Sequence, residues 1–338
     1  MDTLKRIGTR CGPRRQPFSH AAASTLAPTM ALIVTGTIGI DSVYTPHGEA
    51  VKVLGGSATY FSAAASFYTP VRLVAAVGGD FPTEQRAVLA KFPNVSVEGL
   101  QTRPASKTFA WGGKYSKDMN SRETLFTELG VLTEEPPPVP AAYRDSRYVF
   151  LANSHPAVQL GMLRQFPQRT LAVADTMDLW INIARPQLEE LLNEVDGVVM
   201  NYEEAELFTG TQNPVTAARH ILAKHKLSFV VVKKGEHGCI FVHRDGVAML
   251  PAYPAEKVID PTGAGDTFAG GMMGFIAANH AEKDVTAKVK FATIQRALAH
   301  GTVLASFNIE SFTLTRLMTL KRAEIDARYA EFAAMCRV

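Results

Sequence analysis

The amino-acid sequence predicts an α/β fold in which helices cover both faces of a mainly parallel β-sheet. Short apolar runs alternate along the chain with longer segments of helical periodicity. The runs are almost continuously apolar, as expected of parallel strands that are buried on both faces. The length of 338 residues, with 46% hydrophobic and 20% charged residues, is typical of a globular chain with one large domain or two small ones.

The alternation gives the order of the predicted elements. Strands are predicted at 31–35, 72–77, 148–152, 171–174, 198–200 and 229–232. Helical patterns lie near 57–68, 82–91, 157–166, 185–194, 202–209, 214–225 and 286–305. This strand–helix order predicts a doubly wound sheet.

Two stretches interrupt the alternation. Residues 41–54 and 100–132 contain short β-prone pieces separated by Gly, Lys and Asn, and neither has a helical pattern of its own. Such segments either pair into a small sheet that serves as a substrate lid or form ordinary surface excursions. If they pair, exposed Phe109 and Trp111 would favour a homodimer through the lid.

Residues 1–30 differ from the rest of the chain in charge and composition. They carry a net charge of +4 against +3 for the whole chain, which leaves −1 for the remaining residues. A general nucleic-acid binder would carry its positive excess in the folded part. We expect 1–30 to be a disordered or artefactual extension or a transit peptide, and 31–338 to be the folded domain.

Membrane and disulfide-stabilised classes are also disfavoured. No apolar run approaches the roughly 18 residues that a membrane span needs. Three scattered cysteines, Cys11, Cys239 and Cys336, do not form a disulfide or zinc framework. They favour a reducing, cytoplasmic setting.

The segment most informative about chemistry is Val258–Gly274. A strand-like end leads through Asp260 and Thr262 into Gly263, Ala264 and Gly265, and a helix is predicted to open at Asp266. Glycine-rich backbone at a helix N-terminus can turn several N–H groups towards an anion. A carboxylate at that place suits a base that takes a proton from an attacking hydroxyl, which is what phosphoryl transfer to an alcohol requires.

Simpler interpretations of this segment exist. Asp266 could be an ordinary helix cap, because such caps are common. The segment is not a dinucleotide fingerprint, since glycine would be needed at Phe268, and the chain has no G-x-x-x-x-G-K-[ST] motif. A dehydrogenase and a P-loop enzyme are therefore disfavoured.

Four motifs together carry a family resemblance. The run D-P-T-G-A-G-D-T-F-A-G-G at 260–271 resembles the C-terminal signature of the ribokinase-like (PfkB) carbohydrate kinases. The glycine pair at 55–56, the G-T-I-G-I-D turn at 36–41 and V-G-G-D at 77–80 resemble further landmarks of that family in the same order. The resemblance covers about residues 31–320. It implies a three-layer α/β/α sandwich with a small β-sheet lid, and an ATP-dependent carbohydrate kinase.

The same resemblance implies roles for single residues. Asp266 matches the catalytic base, and the amides of Gly263, Ala264 and Gly265 match the anion hole for the γ-phosphate. Asn201 and Glu204 match the N-x-x-E element that helps to hold Mg²⁺ largely through water. The alternative, an acidic first helical turn favoured by the helix dipole, explains Glu203 and Glu206 better than Glu204.

Nucleotide and cation sites are implied in the same way. The residues that match an ATP site are Lys234, Gly235, Gly238, Thr262, Gly263, Gly265 and His300, although a hairpin turn or a buried helix histidine would explain some of them. Asp260, Thr262 and Ser306 match the region where many members bind a monovalent cation such as K⁺.

The acceptor site matches the family only in part. The substrate-binding positions are Asp41, Gly55, Gly56, Ser57, Tyr60, Asn153 and Asp266. Ribokinases proper have Lys and Asn where this chain has Ser57 and Tyr60, and Glu where it has Asn153, so free ribose is in doubt. The acceptor is predicted to be a sugar or a related polyhydroxy compound, or alternatively a nucleoside. A catalytically silent nucleotide-binding regulator is disfavoured, because Asp266 and its glycines are intact.

Overall fold

A computed structural model describes residues 31–280 and 288–337, so the predicted extension 1–30 and the start of the helix predicted from 286 lie outside the described residues. The strands are β1 (Leu32–Thr35), β2 (Gly39–Thr45), β3 (Gly48–Gly55), β4 (Val71–Gly78), β5 (Val95–Arg103), β6 (Phe109–Tyr115), β7 (Arg122–Glu128), β8 (Tyr148–Leu151), β9 (Leu171–Asp175), β10 (Gly197–Asn201), β11 (Phe229–Lys233), β12 (Cys239–His243) and β13 (Gly246–Leu250). The α-helices are α1 (Ser57–Ala65), α2 (Thr83–Leu89), α3 (Pro156–Leu163), α4 (Asp178–Ile183), α5 (Arg185–Leu192), α6 (Tyr202–Thr209), α7 (Pro214–Lys224), α8 (Ala264–His280), α9 (Phe291–Asn308), α10 (Thr315–Thr319) and α11 (Arg322–Met335).

The larger sheet has nine strands in the order β13-β12-β11-β10-β9-β8-β1-β4-β5. All neighbours from β11 to β5 run parallel, and only the pairs β11–β12 and β12–β13 are antiparallel. The six predicted strands are present as β1, β4, β8, β9, β10 and β11. Their apolar sequences fit this place, because both faces of the sheet are covered.

Helices form a layer on each face of this sheet. Residues of α1, α8, α9 and α11 share one apolar core with Leu32 and Val34 of β1. The opposite side chain of β1, Ile33, belongs to a second core together with residues of α3, α5 and α7. The predicted three-layer sandwich is therefore confirmed.

The two stretches that interrupt the alternation do pair into one small sheet. Its four strands lie in the order β3-β2-β6-β7 and come from residues 39–55 and 109–128. One boundary differs from the prediction: residues 100–103 belong to β5, which extends the large sheet beyond β4, where Gly78 pairs with Arg103. The polar sequence of β5 fits this edge position, where one side meets solvent.

No helix in residues 31–280 or 288–337 combines the length and apolar character that crossing a bilayer would require.

Candidate active site

The candidate site lies at the carboxyl ends of the parallel strands. In an open α/β sheet, ligands bind at this edge beside the strand where the chain order reverses. β1 is that strand here, because β4 and β5 follow on one side and β8 to β11 on the other. The edge carries the residues that follow β1 and β8 and the last residues of β9, β10 and β11.

The anion-binding turn immediately precedes α8. Gly263 has a φ of +72°, and a Cβ at this position would collide with the ring of Tyr60. The first N–H groups of a helix have no partner within it, and that of Ala264 donates to Pro261 O at 3.1 Å. Of the three predicted anion-hole amides, those of Gly263 and Gly265 therefore remain as donors, and Ala264 is not one.

Tyr60 supports this turn from behind. Its side chain is 1% exposed and its ring lies under Gly263, which corrects its expected place in the wall of an open acceptor cleft. The reason is its position on α1, which packs against α8. Tyr60 therefore connects the acceptor-side helix to the anion-binding turn.

Asp266 lies in the first turn of α8, next to the anion-binding turn. Burial raises the pKa of its carboxyl to about 6, although the charges of Lys233 and Arg122 act in the opposite direction. A carboxylate with a pKa near the working pH is suited to general-base chemistry. The structure thus places Asp266 where the sequence predicts a base.

Asp41 is the buried polar group on the acceptor side. It is 4% exposed, its Oδ1 has no hydrogen-bond partner, and the Gly56 N–H donates to its carboxylate. Burial raises its pKa to about 7, and the charges of Asp260 and Asp266 add to this rise. Buried polar atoms are nearly always paired, so the unpartnered Oδ1 is available to accept a hydrogen bond from a ligand.

Ser57 and Asn153 are held mainly by protein partners. The Ser57 N–H donates to Thr37 Oγ1 at 2.9 Å, and Thr37 N donates back to Ser57 Oγ at 3.2 Å. The Trp180 indole N–H donates to Asn153 Oδ1 at 2.9 Å. Both residues are predicted acceptor contacts, and these hydrogen bonds hold them at that edge. Trp180, on the short helix α4, is not among the predicted site residues.

The inner face of the small sheet is aromatic and cationic. The register pairs Gly39 with Phe109 and Asp41 with Trp111, so both aromatic side chains share the face of the Asp41 carboxylate. The Trp111 indole lies over Gly113, and the Arg122 guanidinium lies 5.3 Å from its ring. The charge of Arg122 lowers the pKa of both Asp41 and Asp266, which indicates that it lies near the cleft.

This register corrects the expectation that Phe109 and Trp111 are exposed for dimerisation. Both are half-buried on the inner face, and the large apolar residues exposed on the sheet and just after it are Val51, Leu125, Phe126 and Leu129. Alternating side chains along a strand point to opposite faces, and the pairing with Asp41 fixes which face Phe109 and Trp111 occupy.

Asn201 and Glu204 form a reciprocal cap at the start of α6. The Asn201 N–H donates to Glu204 Oε2 at 2.7 Å, and the Glu204 N–H donates to Asn201 Oδ1 at 2.7 Å. This is a capping box, so the N-x-x-E spacing has a local structural role in this chain. Burial raises the pKa of Glu204 to about 7.

Within residues 31–280 and 288–337, no three His, Cys, Asp or Glu side chains are grouped as metal ligands. The hydroxyl of Ser306, a predicted cation ligand, donates to Val303 O at 2.7 Å and accepts from the Arg328 guanidinium at 3.1 Å. The Ser306 hydroxyl is therefore engaged by protein partners, and the monovalent-cation site stays a prediction. Asp260 accepts from Thr262 N and Thr313 N, which fixes the turn before α8.

The loop 234–238 connects β11 to β12, as predicted. Lys234 N donates to Gly238 O at 2.7 Å, which closes the loop on itself. Asn120, at the turn between β6 and β7, donates from Nδ2 to Glu236 Oε1 at 3.3 Å. The small sheet over the acceptor side therefore contacts the loop that is predicted to bind nucleotide.

His300 does not lie in an open nucleotide site. Its ring is stacked between Phe275 and Tyr329, with both pairs of centroids 4.0 Å apart, and Tyr68 Oη lies 3.1 Å from Nδ1. Burial lowers its pKa to about 4. Both ring faces are covered, so this arrangement contradicts an adenine contact through them. Helix packing explains the position, because Gly271 and Gly301 bring α8 and α9 close together.

Two charged residues at the site are not among those predicted from the sequence. Asp175 ends β9, is 5% exposed and has an Oδ1 without a partner. Burial, followed by the charge of Asp266, raises its pKa well above the usual range. Lys233 ends β11, immediately before the loop 234–238. A polar residue that ends an apolar strand was the available signal in both cases, because it marks the ligand-binding edge.

Comparisons with known proteins agree with this architecture. A model of the pfkB family of carbohydrate kinases matches residues 163–316. The chain is 31% identical over 249 residues to a cytidine kinase of Thermococcus kodakarensis, which covers 72% of this chain and 87% of that protein. The nucleoside kinase of Burkholderia thailandensis in complex with inosine superimposes with a TM-score of 0.70 at 20% identity, covering 90% of this chain and 99% of that one. Ribokinase from Giardia lamblia gives a TM-score of 0.74 at 18% identity, covering 90% and 99%.

The sandwich, its small four-stranded sheet and the glycine turn before α8 together define a ribokinase-like fold. The chain belongs to the pfkB family of kinases. This confirms the resemblance seen in the sequence motifs and agrees with the disfavouring of a P-loop enzyme and a dehydrogenase.

Proposed function

We propose that this protein is a nucleoside kinase that transfers the γ-phosphate of ATP to a hydroxyl of the nucleoside. The observation that carries the proposal is the composition of the acceptor cleft. The buried, unpartnered Oδ1 of Asp41 shares one sheet face with Phe109 and Trp111. A hydroxyl-binding carboxylate beside flat apolar rings suits a ligand that joins a polyol to a planar base.

The names of similar proteins support this choice over a free sugar. A cytidine kinase aligns with 72% of the chain, and a nucleoside kinase with bound inosine shares the fold. A sugar acceptor is the second candidate, because ribokinase from Giardia lamblia shares the fold equally well. Ser57 and Asn153 stand where ribokinases proper have Lys and Glu, which argues against free ribose.

The proposed reaction assigns one task to each group. Asp41 accepts hydrogen bonds from the acceptor hydroxyls and orients the one that reacts. Asp266 takes the proton of that hydroxyl as its oxygen attacks. The amides of Gly263 and Gly265 donate hydrogen bonds to oxygens of the transferred phosphoryl group, and the positive end of the α8 dipole adds to their attraction.

The residues near Glu204 fit Mg²⁺ as an outer-sphere ion. Both Glu204 oxygens accept hydrogen bonds from Asn201, which leaves them able to hold a metal-bound water but poorly placed as direct ligands. Mg²⁺ usually keeps several waters and binds the substrate phosphates. When bound, it would neutralise charge on the phosphates of ATP, and Asn201 and Glu204 would orient its water.

A paired substrate screen tests the proposal. Purified protein with ATP–Mg²⁺ is offered cytidine, uridine, adenosine and inosine, and in parallel free ribose and fructose. Stacking of a base on an aromatic side chain contributes about 1–3 kcal/mol. We therefore expect kcat/KM for at least one nucleoside to exceed that for ribose by about tenfold or more.

Two substitutions in the small sheet measure how much the nucleobase contributes to the preference for a nucleoside over a free sugar. Trp111→Ala should reduce this preference for the nucleoside, whereas Phe126→Ala, which removes an aromatic ring from the outer face over Gly112, should leave it unchanged. A higher kcat/KM for a free sugar than for every nucleoside would support the sugar kinase instead. Absence of turnover with all six acceptors would reject both.

The pH dependence of kcat/KM follows from the two raised carboxyl pKa values. Asp266 must be deprotonated to accept a proton, and Asp41 accepts hydrogen bonds best as a carboxylate. Their pKa values, about 6 and about 7, place the acidic limb between these values, with full activity above and loss below. Rates measured from about pH 5 to 9 report this limb. A limb centred near 4, the range of an ordinary exposed carboxyl, would contradict the assignment.

A further inference from the structure

The amino group of Lys233 lies at the opening of the anion-binding turn. Lys233 is the last residue of β11 and is half-buried. Its Nζ lies 2.7 Å from the place that a Cβ on Gly265 would occupy. Glycine at 265 therefore leaves room for the ammonium group directly beside one of the two amides that remain as phosphate donors.

Carboxylates surround this ammonium without pairing with it. The positive charge of Lys233 lowers the pKa of Asp175, Glu204 and Asp266, so all three carboxyls lie within range of its electrostatic attraction. Yet none of the ion pairs within 4.0 Å in the described part of the chain includes Lys233. Three acidic side chains thus lie near the ammonium while its N–H donors remain available to a ligand.

We propose that Lys233 is a catalytic residue whose ammonium binds an oxygen of the phosphoryl group being transferred. The inference rests on the proposed kinase function. The transferring group spreads its charge over three equatorial oxygens, and the amides of Gly263 and Gly265 supply only two neutral donors. Lys233 supplies a full positive charge on the same side of the site.

In this proposed role Lys233 takes no part in proton transfer. The acceptor oxygen forms a bond to the γ-phosphorus while the bond from that phosphorus to the β,γ-bridging oxygen breaks. ADP leaves with the electron pair, and the hydroxyl proton goes to Asp266. Lys233 stabilises the charge on the phosphoryl oxygens throughout and exchanges no proton.

Nucleotide binding tests the contact independently of the acceptor. Calorimetry would measure the affinity of Lys233→Met for the non-hydrolysable ATP analogue AMP-PNP and for ADP, each with Mg²⁺. We expect AMP-PNP to bind about tenfold or more weakly than to the wild type, and ADP to bind within about twofold, because only the analogue carries the terminal phosphate. kcat with the best nucleoside of the screen should fall by about 10²–10³.

A second lysine provides the control. Lys226 is exposed and precedes β11, so it lies at the opposite edge of the sheet from Lys233. Lys226→Met should keep both affinities and the rate of the wild type. A merely structural role for Lys233 would lower the melting temperature and weaken both nucleotides alike.

A double-mutant cycle checks that Lys233 acts through the turn. Gly265→Ala places a methyl group at the position of the ammonium, and the flexible end of the lysine can move aside with little effect on folding. The single variant should therefore reproduce the selective loss of AMP-PNP affinity, and Gly265→Ala with Lys233→Met should lose little more than either alone.

The outcomes separate the two proposals. If the wild type binds both nucleotides and Lys233→Met keeps the wild-type ratio of their affinities, the role of Lys233 is rejected and the kinase stands. If the two substitutions add fully, they do not act through one contact and the inference fails. If the wild type binds neither nucleotide, both proposals are overturned.

Discussion

Asp266→Asn is expected to lower kcat by about 10²–10⁴ while the protein remains folded and binds ATP. Asparagine has nearly the same shape and can still satisfy the first turn of α8, but it cannot take the proton of the acceptor hydroxyl. Steady-state rates and nucleotide binding, measured on the same preparation, would show loss of turnover with retention of the nucleotide.

The matched control for this change is Glu203→Gln. Glu203 is also an acid in the first turn of a helix, α6, but it is exposed. Its substitution should leave the rate within about twofold, the range expected of a surface change. If Asp266→Asn retained a rate similar to that of Glu203→Gln, Asp266 would be a helix cap and no base.

Gly263→Ala should both destabilise the protein and remove most of its activity. Alanine in the left-handed conformation costs about 1–2 kcal/mol, and overpacking costs about 1–3 kcal/mol more, because the new methyl group would enter the ring of Tyr60. The backbone must then shift, which moves an amide of the anion hole and should lower kcat by at least about 10². Chemical denaturation and initial rates would measure the two effects.

Gly161→Ala separates this effect from the general consequence of replacing a glycine. Gly161 lies in α3, and a Cβ there would meet no atom within 4 Å. Alanine in an exposed helix should stabilise the protein by about 0.5–1 kcal/mol. Equal stabilities and rates for the two variants would mean that the turn at Gly263 imposes no steric demand.

The sequence was sufficient for those features that depend on local pattern. Continuously apolar runs located β1, β4, β8, β9, β10 and β11, and glycine before a helix located the turn at Gly263. The small sheet was predicted because residues 41–54 and 100–132 have β-prone pieces without helices. These patterns are set by neighbouring residues, so a single sequence contains them.

Features that depend on distant contacts were not predictable in the same way. The sequence motif predicts Tyr60 in the acceptor cleft, whereas the packing of α1 puts its ring under Gly263. The pairing of Asp41 with Trp111 depends on a register between strands far apart in sequence. The proposed role of Lys233 depends on its contact with Gly265, which is distant along the chain but lies against its amino group.

The hydrogen bond from Asn120 to Glu236 links the two halves of the cleft. One end belongs to the sheet over the acceptor, and the other belongs to the loop beside the proposed ATP site. If the bound acceptor stabilises this contact and the bound nucleotide also does so, each raises the affinity for the other. The two factors are equal, since linkage is reciprocal. Acceptor and nucleotide are therefore expected to bind with positive cooperativity, so that a nucleotide bound alone is held less firmly than one bound beside its acceptor.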